Sequence, residues 1–137
     1  MSASDKAIVD RLVTAARKAR KFALAPYSHF KVGAALLAAD GTVFTGCNVE
    51  NASYGLTVCA ERVALWKALS EGRREFTMLA VVTDTTATTT PCGSCRQLFW
   101  EYCGDIPVVL ASLTRIAGRY RIKDLLPLPF DQRKLQE

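Results

Sequence analysis

Two short stretches hold most of the reactive side chains in this chain of 137 residues: Cys59-Ala60-Glu61-Arg62 and Pro91-Cys92-Gly93-Ser94-Cys95. A lone Cys-x-x-Cys serves redox chemistry as readily as metal binding. Here Cys92 and Cys95 stand at the predicted start of one helix, and Cys59 at the start of another. A helix N-terminus carries roughly half a positive elementary charge, which favours the thiolate, the form that binds metal. Three thiolates converging from two helix starts make a zinc site with three protein ligands. Structural zinc takes four ligands, whereas catalytic zinc keeps the fourth position for water.

The chain has five cysteines. Cys103 lies ~12 Å beyond Cys95 along the same helix, too far to share an ion whose Zn–S bonds are about 2.3 Å. It reads as a packed thiol. Cys47, at a strand end, stays open as a fourth ligand, which would close the site and make it structural. Glu61 argues for the open site. Taken alone, a glutamate there is an ordinary first-turn residue. Beside a three-ligand zinc, a carboxylate that does not ligate is the expected general acid and base. Zinc with three thiolates carries a net negative charge, which weakens a Lewis acid. A guanidinium at Arg62, hydrogen-bonded to sulfur, would offset that charge. His29, the one histidine, has no orienting partner in view and reads as a loop residue.

The elements that must position these residues follow from periodicity. Ile8, Val9, Leu12, Val13, Ala16, Ala19 and Phe22 repeat at helical spacing, which predicts a helix from Ser4 or Asp5 to about Ala25, stopped by Pro26. Lys31–Ala39 and Thr42–Cys47 read as strands joined by Asp40-Gly41, a hairpin signal. Asn48–Gly55 is small and polar and reads as a loop. A helix is expected from near Val58 to Gly72, a buried strand over Phe76–Thr83, a solvated threonine-rich loop over Thr85–Thr90, and a helix over Gly93–Tyr102. Pro107–Leu113 reads as a strand and Gly118 as a turn. A short strand at Tyr120–Ile122 and a helical turn at Asp124–Leu126 follow. This order predicts an α/β fold: a three-layer α/β/α domain on a mixed, about five-stranded sheet, occupying residues 1–137 as one unit.

Composition narrows the function classes. Half the residues are hydrophobic and 23% are charged, too apolar for a disordered chain. No apolar run approaches the about 20 residues of a membrane helix. The N-terminus carries charge at Asp5 and Lys6 and lacks the apolar core of a signal peptide, so the expected location is the cytoplasm, where free cysteines mean metal or thiol chemistry. The net charge of +5 is spread over Arg17–Lys21, Arg73-Arg74, Arg115–Lys123 and Arg133-Lys134. Solvated faces account for that scatter, and neither nucleic acid nor a membrane is an expected partner.

The chain closely resembles the zinc-dependent cytidine deaminases, in their small homotetrameric class with an all-cysteine zinc site. The resemblance rests on Pro26-Tyr27-Ser28-His29-Phe30, Val32–Leu36, Gly46–Tyr54, Cys59–Arg62, Pro91–Gln97 and Leu125-Leu126-Pro127. A non-ligand Glu followed later by Pro-Cys-x-x-Cys is the general pattern of zinc deaminases. The resemblance implies a hydrolase that turns cytidine and deoxycytidine into uridine and deoxyuridine with loss of ammonia, in pyrimidine salvage. It implies one Zn2+ per chain on Cys59, Cys92 and Cys95, with Glu61 shuttling protons. Asn48 and Glu50 would grip the sugar hydroxyl, the Ala60 backbone would meet the pyrimidine edge, and Phe30 would pack on the base. Tyr54 would line the substrate site, and Phe130 would reach it from a neighbouring subunit. Val63, Ser94 and Trp100 depart from the residues common at their positions.

Overall fold

A computed structural model describes residues 2–136. Its five strands are β1 (Val32–Ala38), β2 (Val43–Cys47), β3 (Phe76–Thr83), β4 (Pro107–Ala111) and β5 (Ile116–Arg121). They form one sheet in the order β2-β1-β3-β4-β5. β1 runs antiparallel to both β2 and β3, β3 and β4 are parallel, and β5 returns antiparallel to β4. This is the mixed five-stranded sheet that the element order predicts.

Alternation along β1 builds the two outer layers. Ala35 and Leu37 face α1 (Ala3–Arg20) and pack with Val9, Leu12, Val13 and Ala16. Ala34 and Leu36 face the opposite way, onto Ala60, Ala64 and Leu65 of α2 (Ala60–Ser70) and Phe99 of α3 (Gly93–Cys103). Burying a leucine of this kind is worth about 1.5–3 kcal/mol, so these faces, rather than helix propensity, hold the layers together.

Two glycines let the helices close on the sheet. A Cβ on Gly33 would lie 2.0 Å from the Ala16 carbonyl oxygen, and one on Gly46 would lie 2.3 Å from that of Ala60. The second contact matters more, because Ala60 opens the helix that carries Cys59 and Glu61. Gly46→Ala must push backbone against backbone, an overpacking that costs about 1–3 kcal/mol. We expect this variant to melt earlier and to bind zinc more weakly, measured by thermal denaturation and chelator competition. Unchanged zinc affinity would show that the start of α2 is not set by this contact.

The structure departs from the sequence expectations at several places: β4 ends at Ala111 rather than Leu113, the last strand runs over Ile116–Arg121 rather than Tyr120–Ile122, and the helix after it opens at Ile122 rather than Asp124. α1 ends at Arg20, not near Ala25, because Leu24 leaves the helix to pair with the segment after β2: its N–H donates to the Asn48 carbonyl at 3.0 Å, and its own carbonyl accepts from Glu50 N–H at 2.8 Å. α2 starts at Ala60, not near Val58, since Val58 is bridged to Val49. Gly118 is not a turn. It sits inside β5 opposite Leu110, and the Tyr120 ring folds over it, within 2.8 Å of where a Cβ would stand. The turn is made by Ser112, whose hydroxyl accepts from the N–H groups of Thr114 and Arg115. Beyond β5 come two short helices, α4 (Ile122–Leu125) and α5 (Gln132–Leu135). No helix among the described residues is long and apolar enough to cross a membrane.

Candidate active site

Cys59 and Cys92 are the N-cap residues of α2 and α3, each with extended backbone and neither using its side chain to cap the helix. Their sulfurs therefore stay free, and they converge with that of Cys95 in the first turn of α3. Cys59 Sγ lies 3.9 Å from Cys92 Sγ, which lies 3.6 Å from Cys95 Sγ. All three fall within 4.8 Å of one another. Thiolates around a tetrahedral ion with bonds of about 2.3 Å stand about 3.8 Å apart, so the donor set fits zinc in both chemistry and spacing. Among the described residues no other cysteine joins the group. Cys47 lines a separate groove with Lys18, Phe22, Val63 and Lys67. Cys103 is packed against the α2–α3 side of the core, and burial pushes its thiol up to about 12.

The electrostatics favour metal binding. The hydrogen bond shared with Cys95 draws the Cys59 thiol down to about 6, helped by the positive charge of Arg62, while the same contact and burial hold Cys95 high. The Arg62 guanidinium lies against these sulfurs, Cys95 foremost, which strengthens its hold on its proton. Its Nε is buried and makes no hydrogen bond to any described residue. Glu61 is only 5% exposed. Burial raises its carboxyl to about 7, against the pull of its own backbone N–H.

A cavity of 260 Å³ opens onto this cluster. Cys59, Ala60, Glu61 and Cys92 line it, and so do Phe30, Asn48 and Glu50 with Val32 and Val81. Asn48 is pinned: its Nδ2 donates to the Phe30 carbonyl at 2.7 Å, and its Oδ1 accepts from Val32 N–H at 2.8 Å. Glu50 accepts from the backbone N–H groups of Tyr27 and Ser28 at 2.9 and 3.0 Å, and also from the Ser28 hydroxyl. That hydroxyl is the foremost cause holding the Glu50 carboxyl below the usual carboxylate range.

Residues 5–111 match the family described as the cytidine and deoxycytidylate deaminase zinc-binding region. The chain belongs to that family. It is a zinc-dependent hydrolytic deaminase. It is 48% identical over 128 residues to a cytidine deaminase of Sporosarcina psychrophila, spanning 93% of this chain and 94% of that one. Against a cytidine deaminase of Halalkalibacterium halodurans the identity is 52% over 120 residues, spanning 87% and 91% of the two chains. Among solved structures, the crystal structure of cytidine deaminase from Burkholderia pseudomallei superposes with a TM-score of 0.85 at 47% identity, covering 95% of this chain and all of that one.

Two residues that the sequence resemblance places at the substrate lie outside this deaminase's own cavity. Tyr54 is 77% exposed, stacked edge-on against Tyr27 at 6.1 Å, and lines a neighbouring depression with Ser28, Glu50 and Thr57. Phe130 is 59% exposed on the C-terminal segment, where its carbonyl accepts from Gln97 Nε2 at 2.6 Å. His29 sits exposed in the loop before β1 with a left-handed φ of 59°.

Sequence reasoning missed the threonines. Thr83, Thr89 and Thr90 line the cavity. Thr85 bridges Thr83 and Thr89 through hydroxyl contacts of 2.9 Å. Low complexity hid them: a run of one residue type looks like a solvated loop, and the only local signal was its position directly before Pro91-Cys92. Trp100, bulky for its place, has a use. Its Nε1 donates to Asp131 at 3.2 Å and ties the chain's end to α3.

Proposed function

We propose that this deaminase converts cytidine and deoxycytidine to uridine and deoxyuridine with release of ammonia, as one catalytic domain over residues 1–137, in cytoplasmic pyrimidine salvage. The observation that carries the reading is the buried carboxyl of Glu61, which lines a cavity beside three converging sulfurs. A solvated helix residue has no reason to be there, and a proton carrier does. The names of the relatives point to the pyrimidine nucleoside. Free cysteines suit the reducing cytoplasm.

Cys59, Cys92 and Cys95 would hold one zinc per chain, a Lewis acid that lowers the pKa of a water from about 15.7 to about 7. Glu61 would take a proton from the water whose oxygen adds to C4 and pass it to ring N3. It would then move the remaining proton, that of the new C4 hydroxyl, to the exocyclic amine, which leaves as ammonia as the C4–N bond breaks and the C4 carbonyl forms. Arg62 offsets the negative charge of the thiolates. The Ala60 backbone meets the pyrimidine edge, and Phe30 packs on the base.

Asn48 and Glu50 grip the sugar hydroxyl. Asn48 spends one donor and one acceptor on the loop and has one N–H left over. Asn48→Ala and Glu50→Ala should keep zinc and lower kcat/KM for cytidine. Asn48→Ala also strands the Phe30 carbonyl and Val32 N–H, a loss of about 1–3 kcal/mol. Unchanged kcat/KM in both variants would remove the sugar role. The ionised Glu50 also repels a phosphate, so nucleotides are poor substrates. Incubation with cytidine, deoxycytidine, CMP and single-stranded DNA while ammonia is measured tests the reading. A preference for CMP would overturn the nucleoside assignment. Turnover of single-stranded DNA would overturn the view that the basic residues are solvated faces, four of which already pair with Asp5, Asp40, Asp105 and Asp131.

The working unit we propose is a homotetramer. Phe22, Leu24, Tyr27, Tyr54 and Leu56 are all exposed on the segments around Glu50, and Leu128 is 99% exposed beside Phe130. Large exposed apolar clusters mark interfaces, and Phe130 then reaches a neighbour's cavity while Tyr54 lines it. Light scattering should give the mass of four chains. Deleting residues from Leu128 onward should weaken assembly and activity together. A fully active monomer would defeat the assignment.

A further inference from the structure

We propose that Arg96 is a positioning residue for the metal ligand Cys92, and that it works by bracing the loop before Cys92 against the end of α4. This inference rests on the zinc reading above. Cys92 is the most exposed of the three cysteines, and it ends a segment, residues 84–91, that belongs to no strand or helix. Among the described residues no backbone-to-backbone hydrogen bond holds that segment. Side chains hold it: Thr85 ties its middle to Thr83 and Thr89, Arg115 donates to the Thr86 carbonyl, and Arg96 holds the two residues directly before Cys92.

The Arg96 guanidinium makes three separate contacts. Nε donates to the Pro91 carbonyl at 2.7 Å, and one terminal nitrogen donates to Thr90 Oγ1 at 2.6 Å. Both acceptors lie within two residues of Cys92. The other terminal nitrogen donates to the Leu125 carbonyl at 3.1 Å, the last residue of α4. A planar fork of fixed donors suits such a three-point tie, and lysine cannot reproduce it.

The far anchor is itself fixed. Ile122 at the start of α4 is fully buried, and its N–H donates to the Ile106 carbonyl at 3.1 Å. The Asp105 carboxylate accepts from Lys123 N–H at 2.8 Å and from Arg121 Nε at 3.1 Å. Asp124 accepts from Arg121 N–H at 3.0 Å. The path therefore runs from the turn before β4, through α4, to the loop that delivers Cys92.

The test times the release of zinc into a chromophoric chelator from the full chain and follows amide exchange on the metal-free chain. Arg96→Gln should release zinc about 10- to 100-fold faster, the usual effect of losing a group that orients a ligand. Arg96→Lys should fall between it and the wild type. Asp105→Ala, remote from the cavity, should accelerate release several-fold. In cobalt-loaded protein the thiolate-to-metal charge-transfer bands should weaken or shift in Arg96→Gln, which general destabilisation of the fold would not cause. Wild-type release from Arg96→Gln overturns the proposal. Acceleration in Arg96→Gln with none in Asp105→Ala overturns the brace to α4. If Arg96→Gln does not fold, Arg96→Lys and Asp105→Ala carry the same tests. Exchange on the metal-free chain separates this inference from the zinc reading. A wild type that takes up no zinc ends that reading alone, while exchange over residues 85–95 that is unchanged in Arg96→Gln overturns the brace. Faster exchange there, with β3 unaffected, supports it.

Discussion

Glu61→Gln should keep the fold and the metal and lose about 10²- to 10⁴-fold in kcat, the range supplied by a positioned proton carrier. The amide matches the carboxylate in size, so packing at this buried position is preserved. It cannot take a proton from water or hand one on. Stability of the metal-free chain should move little, or upward, because burial lifts the Glu61 carboxyl to about 7 there and the amide carries no charge to bury. The measurement is kcat beside zinc content and melting temperature. Turnover within tenfold of the wild type, in protein with full zinc, would falsify the role of Glu61.

Single alanine replacements of Cys59, Cys92 and Cys95 should each take zinc content from one per chain to near zero and abolish activity. A three-thiolate site has no spare ligand, and two remaining sulfurs do not hold an ion against a chelator. Cys59→Ala and Cys92→Ala are the cleaner pair, since neither side chain caps its helix. Cys95 is fully buried, so its loss also leaves a small void. Cys47→Ala and Cys103→Ala serve as controls that keep zinc. Metal analysis after dialysis decides. Full zinc in Cys92→Ala would sink the site, and zinc loss from Cys47→Ala would restore the closed, four-cysteine structural centre.

Features decided by short-range spacing were legible in the sequence. The apolar repeat of α1, the Asp40-Gly41 hairpin and the apolar run of β1 are set by residues within a few positions of one another. The placing of Cys59 and Cys92 at helix starts is equally local, and so is the presence of Glu61 in the first turn of α2. Hence the fold class, the cysteine triad and the carboxyl beside it can be read before any coordinates.

Tertiary structure alone decided the rest, because it decides which distant segments compete for one backbone. Helical spacing runs on past Arg20, but Leu24 gains two hydrogen bonds by leaving the helix for the Asn48–Glu50 segment. Val58 likewise pairs with Val49 before α2 can include it. The choice between Cys47 and the other cysteines is a matter of distances across the sheet, which no spacing encodes. The threonine run became a cavity wall only when β3 and α3 brought its two ends beside Phe30 and Glu61. Arg96 is an unremarked helical arginine until Thr90, Pro91 and Leu125 are folded around it, and their three acceptors come from segments that only the packed chain brings together.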